Sequence, residues 1–325
     1  MPDYNSHIKA SSILVTGGAG FIGSNIVAYL LDKGVKHVRV LDNLSNGYRH
    51  NIQEFEDLPN FEFMEGDIRD LDTCKQVMEG MDYVSHQAAL GSVPRSIADP
   101  LTSHNVNATG FLNMCVALKE SKTVKRMVYA ASSSTYGDHI SLPKVEDQIG
   151  NPLSPYAVTK YLNELYADVF GRTYQTDMIG LRYFNVYGPK QSPNGPYAAV
   201  IPLFMQALVD GKAPTINGDG EQTRDFTYVA NAVQANVKAM FADKAAANQV
   251  VNVACGERIS VNQLWQYLSE ASGKSINPKY GPSRQGDVRD SLADISKAQR
   301  LMGYQPEVSV RDGLKLSWDW FSKNQ

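Results

Sequence analysis

The stretch Gly17-Gly18-Ala19-Gly20-Phe21-Ile22-Gly23 constrains this chain more than any other. It follows the apolar, β-branched run Ile13–Thr16 and leads into Asn25–Leu31, whose spacing suits a helix. A strand that turns through glycines into a helix offers unpaired backbone N–H groups and a partial positive charge at the helix start. The Gly-x-Gly-x-x-Gly spacing through Gly18, Gly20 and Gly23 allows a tight turn, close backbone approach to a pyrophosphate, and close helix–strand contact. Asp42 closes the next apolar run, Val38–Leu41. A carboxylate there accepts hydrogen bonds from an adenosine ribose and repels a 2′-phosphate, which points to NAD over NADP. Asp67, after Phe61–Met64, is placed either to bound an adenine pocket or to cap a loop.

Further short runs, Tyr83–His86, Met127–Ala130 and Met178–Leu181, alternate with helix-length segments. That βαβ pattern predicts a parallel sheet with right-handed crossovers and ligands at the carboxyl ends of its strands. After Asn185 the texture changes, and glycine and proline interrupt the chain to about residue 222. Short runs then resume with Val250–Ala254, followed by a helical Val261–Glu270. The expected class is α/β: a doubly wound parallel sheet with a smaller C-terminal α/β lobe. Residues 1–184 form the dinucleotide-binding domain, with a segment returning near 228–255, and most of 185–325 forms the substrate lobe.

Composition removes several alternatives. With 31 Lys+Arg against 34 Asp+Glu, the chain lacks the basic excess of a nucleic-acid binder. No apolar run reaches the roughly eighteen residues of a membrane span, and Met1–Ser12 lacks the apolar core of a secretory signal. The 3 cysteines, Cys74, Cys115 and Cys255, are far apart and odd in number, which suits reduced thiols in a cytoplasmic protein. The 6 histidines all precede residue 140 and none has metal-ligand spacing, so no metal site is expected. Proton transfer centred beyond that point must use something other than imidazole.

A phenol is the candidate. Tyr156-Ala157-Val158-Thr159-Lys160 begins after Pro155, which suits the first position of a helix. Residues four apart share a helical face. A free phenol titrates near about 10, so it needs help to act as a base. A neighbouring ammonium and a positive nicotinamide ring would both lower that value. Ser132-Ser133-Ser134-Thr135 adds hydroxyls directly after a strand, where one could share a substrate proton with Tyr156. Such serines also serve as ordinary turn residues.

With these motifs in order, the chain resembles the extended short-chain dehydrogenase/reductase family, and within it the UDP-hexose 4-epimerases. The likeness runs from Ile13 to about Gly313. It includes Thr16–Gly23, Asp42-Asn43-Leu44-Ser45, Gly66-Asp67-Ile68, His86–Ala89, Ser132–Gly137, Tyr156–Lys160, Arg182–Asn185, Arg224-Asp225-Phe226 and Arg284–Asp287. The resemblance implies a Rossmann fold, catalytic hydroxyls on Ser132 and Tyr156, and Lys160 tuning Tyr156 and binding the nicotinamide ribose. It implies NAD contacts at Gly17, Gly20, Phe21, Ile22, Gly23, Asp42, Asn43, Ser45, Gly47, Asp67, Ile68, Gln87, Ala88, Ala89, Asn107, Tyr156, Lys160 and Tyr183. UDP-sugar contacts would fall on Ser92, Arg95, Ser132, Ser133, Ser134, Tyr156, Asn185, Val200, Asn217, Arg224, Val261, Arg284, Asp287 and Ser291. Arg224 and Arg284 would hold the diphosphate, for which a planar guanidinium suits bidentate contacts. Segments 105–119 and 156–173 match helices through which such enzymes pair as homodimers in a four-helix bundle.

Departures from the family pattern narrow the reaction. Nucleotide-sugar 4,6-dehydratases carry an Asp–Glu pair beside the catalytic hydroxyl, whereas Ser132-Ser133-Ser134-Thr135-Tyr136 holds no carboxylate before Asp138. A 4-epimerase needs none. Galactose-restricted epimerases place a tyrosine where this chain has Ser291, and a serine leaves volume for an N-acetyl group. Gly91–Ser96 further resembles bacterial epimerases of N-acetylated UDP-hexoses. The expected reaction is therefore interconversion of UDP-N-acetylglucosamine and UDP-N-acetylgalactosamine. Arg95 keeps UDP-N-acetylhexosaminuronic acids in view, unless it merely pairs with Asp99. UDP-glucose/galactose is the other alternative, and a dehydratase ranks behind both.

Overall fold

The computed structural model describes residues 4–194, 198–282 and 289–324. Seven strands form one sheet: β1 (Ser12–Thr16), β2 (His37–Asp42), β3 (Phe61–Glu65), β4 (Tyr83–His86), β5 (Arg126–Ser132), β6 (Met178–Tyr183) and β7 (Val250–Val253). Their order is β7-β6-β5-β4-β1-β2-β3, and every pairing is parallel. The order reverses direction at β1 and β4, which opens a crevice at their carboxyl ends, as in Rossmann folds. All residues of β1 and β6 are buried, as expected of strands covered by helices on both faces.

Among the described residues, twelve α-helices accompany the sheet: α1 (Tyr4–Ala10), α2 (Phe21–Asp32), α3 (Leu71–Met78), α4 (Val93–Ala98), α5 (Pro100–His104), α6 (Gly110–Glu120), α7 (Pro155–Tyr174), α8 (Val200–Asp210), α9 (Val229–Met240), α10 (Val261–Ser272), α11 (Ser296–Met302) and α12 (Val310–Phe321). On one face, Ile26 and Leu30 of α2 and Val233 and Val237 of α9 pack against Ile13, Val15 and Val40. On the other, Val77 of α3, Phe111 and Met114 of α6, and Phe170 of α7 pack against Leu14, Val84 and Tyr129. Adjacent residues of β1 thus feed opposite cores, as the strand period requires. A separate core joins Phe204 of α8, Leu264 and Trp265 of α10, and Leu314 and Trp318 of α12. Two-residue and three-residue strand pairs border it.

The chain leaves the sheet after Tyr183 and comes back to it with α9 and β7. Between α5 and α6, a π-helical turn at Asn105–Thr109 replaces the first part of the helix expected over 105–119. No helix among the described residues is long and apolar enough to cross a membrane.

Candidate active site

A cleft of about 610 Å³ opens at the carboxyl ends of the strands. The glycine turn forms its floor. A Cβ on Gly23 would lie 2.1 Å from the Gly17 carbonyl oxygen, and one on Gly17, at φ +68°, would lie 2.7 Å from the Ala88 nitrogen. Only glycine fits at either position. Gly20 caps α2 without a side-chain hydrogen bond, so nothing from the cap residue covers the first-turn amides at the cleft. This is a cradle for a phosphate.

Acidic groups flank it. Asp42, at the end of β2, accepts from the Ala19 and Leu44 amides at 3.0 and 2.9 Å while lining the cleft. Burial raises its pKa, and those two amides oppose the rise. Asp67 is held by Arg69 at 2.6 Å and by Asn43 Nδ2 at 2.8 Å. The Arg69 hydrogen bonds lead the effects that bring its carboxyl down to about 2, so it is ionised at the edge of the cleft. A glycine cradle at a helix start, with a fixed carboxylate on the neighbouring strand, fits NAD.

The proton-handling groups stand opposite. Ser154 caps α7, accepting from Ala157 N at 3.2 Å, with Pro155 in the first turn; this starts the helix so that Tyr156 and Lys160 both line the cleft. Buried Ser96 of α4 accepts from the Tyr156 amide at 3.0 Å. Lys160 is buried and its Nζ donates to the Ala130 carbonyl at 2.8 Å. Ser132, at the end of β5, accepts from both the amide and the hydroxyl of Ser134, at 3.2 and 2.9 Å. Two acceptances occupy the lone pairs of a hydroxyl, leaving its proton to be donated. Ser132 is the polar neighbour that acts on the Tyr156 phenol.

Burial dominates the titration of both Tyr156 and Lys160. Burial raises the Tyr156 phenol, and only the Ser132 hydrogen bond opposes it. Lys160 is instead the group that moves down: burial pushes its ammonium to about 8, against the pull of Glu164. Burial thus favours the protonated phenol, and stabilising a phenolate calls for positive charge at the cleft. Burial, and then Lys160, hold His86 down at about 3, so this imidazole is neutral.

The structure gathers all of the expected NAD residues around the cleft except Asn107. Asn107 spends its amide on the protein: Oδ1 accepts from Leu90 N at 2.8 Å, and Nδ2 donates to Leu90 O at 3.1 Å and Thr159 Oγ1 at 3.3 Å. Of the expected sugar-nucleotide residues, Ser92, Arg95, Ser132, Ser133, Tyr156 and Asn185 line the cleft. Arg95 donates to Asn46 Oδ1 at 3.2 Å, while Asp99 caps α5 instead of pairing with it. Ser134 supports Ser132 from outside the lining, and Val200 follows the lining residue Ala199.

Asn217, Arg224, Val261 and Ser291 are not among the lining residues and lie among the short strands that border the separate core of α8, α10 and α12. There Arg224 Nη1 donates to the carbonyls of Thr223 and Arg289, both at 2.9 Å, and the Ser291 amide donates to Thr223 O at 3.2 Å. Arg224 and Ser291 are thus neighbours. Asp225 ties this region to the sheet, accepting from the amides of Cys255, Gly256 and Ala293 at 3.0, 3.1 and 3.2 Å. Arg284 and Asp287 lie outside the described residues.

Two parts of the site escaped the sequence reading. Buried Asn236 of α9 donates to Tyr183 Oη at 2.6 Å and accepts from Gln87 Nε2 at 3.0 Å and Ser85 Oγ at 3.2 Å. It thereby braces two lining residues from below. An asparagine on the buried face of an apolar helix was the available signal. Lys190, in the loop before α8, donates to Asn51 O at 2.6 Å across 139 residues of sequence, and no local pattern marks it.

Comparison with known proteins agrees with this architecture. Residues 13–254 match the NAD dependent epimerase/dehydratase family. The UDP-glucose 4-epimerase of Mycolicibacterium smegmatis is 36% identical over 309 residues, 95% of this chain and 97% of that protein. The UDP-N-acetylglucosamine 4-epimerase of Methanobrevibacter ruminantium M1, solved with UDP-N-acetylmuramic acid, superposes with a TM-score of 0.91 at 39% identity, covering 97% of this chain and 99% of the other. The UDP-glucuronic acid 4-epimerase of Bacillus cereus, solved with UDP-glucuronic acid and NAD, gives a TM-score of 0.89 at 33% identity, covering 97% and 100%.

Proposed function

The chain belongs to the NAD-dependent epimerase/dehydratase family, and from that premise we propose that it inverts C4 of UDP-hexoses, with N-acetylated hexoses as its preferred substrates. One observation carries the reading. Ser132, Tyr156 and Lys160 face a cleft whose other wall is the glycine cradle, and the Ser132–Tyr136 turn brings no carboxylate with them. That set can move one proton on and off a hydroxyl; it offers no acid–base pair for eliminating water.

NAD, when bound, supplies reversible hydride acceptance at C4 of the sugar. Tyr156 takes the proton of the 4-hydroxyl as that carbon is oxidised and gives it back on re-reduction. Ser132, whose lone pairs are engaged by Ser134, directs its own proton toward the same oxygens. Lys160 supplies positive charge to the phenolate. The 4-keto sugar turns over between the two steps, so no net redox occurs. Arg224 and Arg284 would hold the diphosphate through this rotation.

The N-acetyl preference draws support from Ser291, a small side chain beside Arg224, and from the likeness to the archaeal UDP-N-acetylglucosamine enzyme. A second reading, UDP-linked uronic acids, draws on Arg95, whose guanidinium lines the cleft. A competition assay over acetylated, plain and acidic UDP-hexose pairs separates them. The proposal expects fastest conversion of UDP-N-acetylglucosamine to its galacto isomer without added reductant. Absence of C4 inversion on every pair would falsify it.

The working form is a homodimer. Val158, Leu165 and Val169 of α7 are exposed at helical spacing, and Ile97 and Leu101 lie exposed on α4 and α5. An apolar stripe on a helix calls for a partner, and a second copy closing a four-helix bundle through α6 and α7 fits it. A monomeric mass in solution at micromolar concentration would remove this part. Unpaired cysteines accord with a cytoplasmic setting.

A further inference from the structure

Behind the catalytic face of α7 lies a buried charge pair with no assigned role. Glu164 is one helical turn beyond Lys160, on the same face, and both side chains are buried. The Glu164 carboxylate is gripped bidentately by Arg182 of β6, with Nε to Oε1 at 2.8 Å and Nη2 to Oε2 at 2.7 Å. Arg182 is itself fixed, donating to the Glu146 carbonyl at 2.9 Å and lying 4.8 Å from the Tyr136 ring centre. Replacing such a pair with apolar groups is often neutral or stabilising, so its presence asks for another reason.

The neighbours of Lys160 supply that reason. Its Nζ has the Ala130 carbonyl as a hydrogen-bond partner, a neutral dipole that does not balance a charge. His86 is held neutral. Burial raises the phenols of Tyr129, Tyr136 and Tyr156, so they too are uncharged. Arg182 is the cation that grips Glu164. Glu164 is therefore the anion that faces Lys160, and Arg182 holds it in place.

We propose that Glu164, clamped by Arg182, is a positioning residue that keeps the Lys160 ammonium charged inside the protein, so that it can act on Tyr156. This rests on the epimerase reading only for its catalytic consequence. Burial moves Lys160 to about 8, and Glu164 opposes the fall. Without Glu164 the lysine would lose its proton at lower pH, and the phenolate would lose its field.

The test follows the NAD-bound protein, as purified, by NMR of 13Cε-labelled lysine, with the Lys160 signal assigned by its loss in K160R. The expected result for Glu164→Gln is a Lys160 midpoint lower by about one pH unit or more, while Glu164→Asp, which keeps the charge, stays near the parent. The alkaline limb of kcat for UDP-sugar epimerisation should move down with that midpoint in E164Q, leaving KM nearly unchanged. If E164Q does not fold, the apolar swap E164L/R182M reads the same lysine and should also lower its midpoint. An unmoved midpoint in the folded variant, or E164D falling as far as E164Q, overturns the proposal. A shifted midpoint with an unshifted alkaline limb overturns the catalytic link. Were the parent protein to epimerise nothing, the function reading would fail while the titration still judged Glu164.

Discussion

At the cofactor end of the cleft, the ends of β1, β2, β4, β5 and β6 and one glycine turn bring most contacts together within short segments. In the second lobe, Asn217, Arg224, Val261 and Ser291, which we propose hold the sugar nucleotide, come from separate short strands and helix starts around another core. The first end is rigid by construction, because both faces of the parallel sheet are packed and the glycine turn admits no Cβ. The second is tied to it through side chains such as the carboxylate of Asp225. The difference teaches how the proposed division of labour would arise: proton and hydride chemistry on the sheet, and choice of sugar on the second lobe.

The sharpest way to break this contrast is Gly23→Ala. Its Cβ would meet the Gly17 carbonyl at 2.1 Å, so the protein should purify without NAD and without activity. An alanine variant that keeps its cofactor, measured by absorbance after denaturation, would show the cradle to be dispensable. Next, Tyr156→Phe should cut kcat by about 10²–10⁴-fold while NAD content stays at the parental level. An unchanged rate would transfer the base role elsewhere.

Effects at the other end should be smaller and should leave NAD alone. Arg224→Ala should raise KM for UDP-sugars by about ten- to a hundredfold, the worth of a charge-assisted phosphate contact, with kcat less affected. Loss of cofactor in that variant would mean the two ends are not separable. Ser291→Tyr should reduce kcat/KM for acetylated substrates by about tenfold relative to plain ones; equal losses would dissociate Ser291 from the acetyl group. Smallest of all, Asn236→Leu leaves Tyr183, Gln87 and Ser85 short of a partner. It should lower urea stability by about 1–3 kcal/mol and speed NAD release, and a normal release rate would make the brace merely structural.

The same contrast governs what could be read from the amino-acid sequence. Gly17–Gly23, Asp42, Ser132 and the Tyr156–Lys160 pair each sit at a strand end or helix start, where local pattern encodes position. The alternation of apolar runs sufficed for a parallel sheet. Asn107 shows a limit of local pattern, because a buried amide that satisfies the Leu90 backbone looks, in sequence, like one that reaches a ligand. Lys190 and Asn236 were invisible or faint, since each acts on residues far away in the chain. Burial of Tyr156 and Lys160 was hidden for a related reason: spacing reveals the lysine four residues on, but not how strongly the fold desolvates both groups.

Transient oxidation at C4, with the same hydrogen returned to the opposite face, is the claim on which the catalytic account stands. UDP-N-acetylglucosamine carrying deuterium at C4 tests it directly, in ordinary water and without added cofactor. The account predicts UDP-N-acetylgalactosamine with the deuterium still on C4 and no label in the solvent. Exchange of that deuterium with water, or a keto product that accumulates, would contradict it.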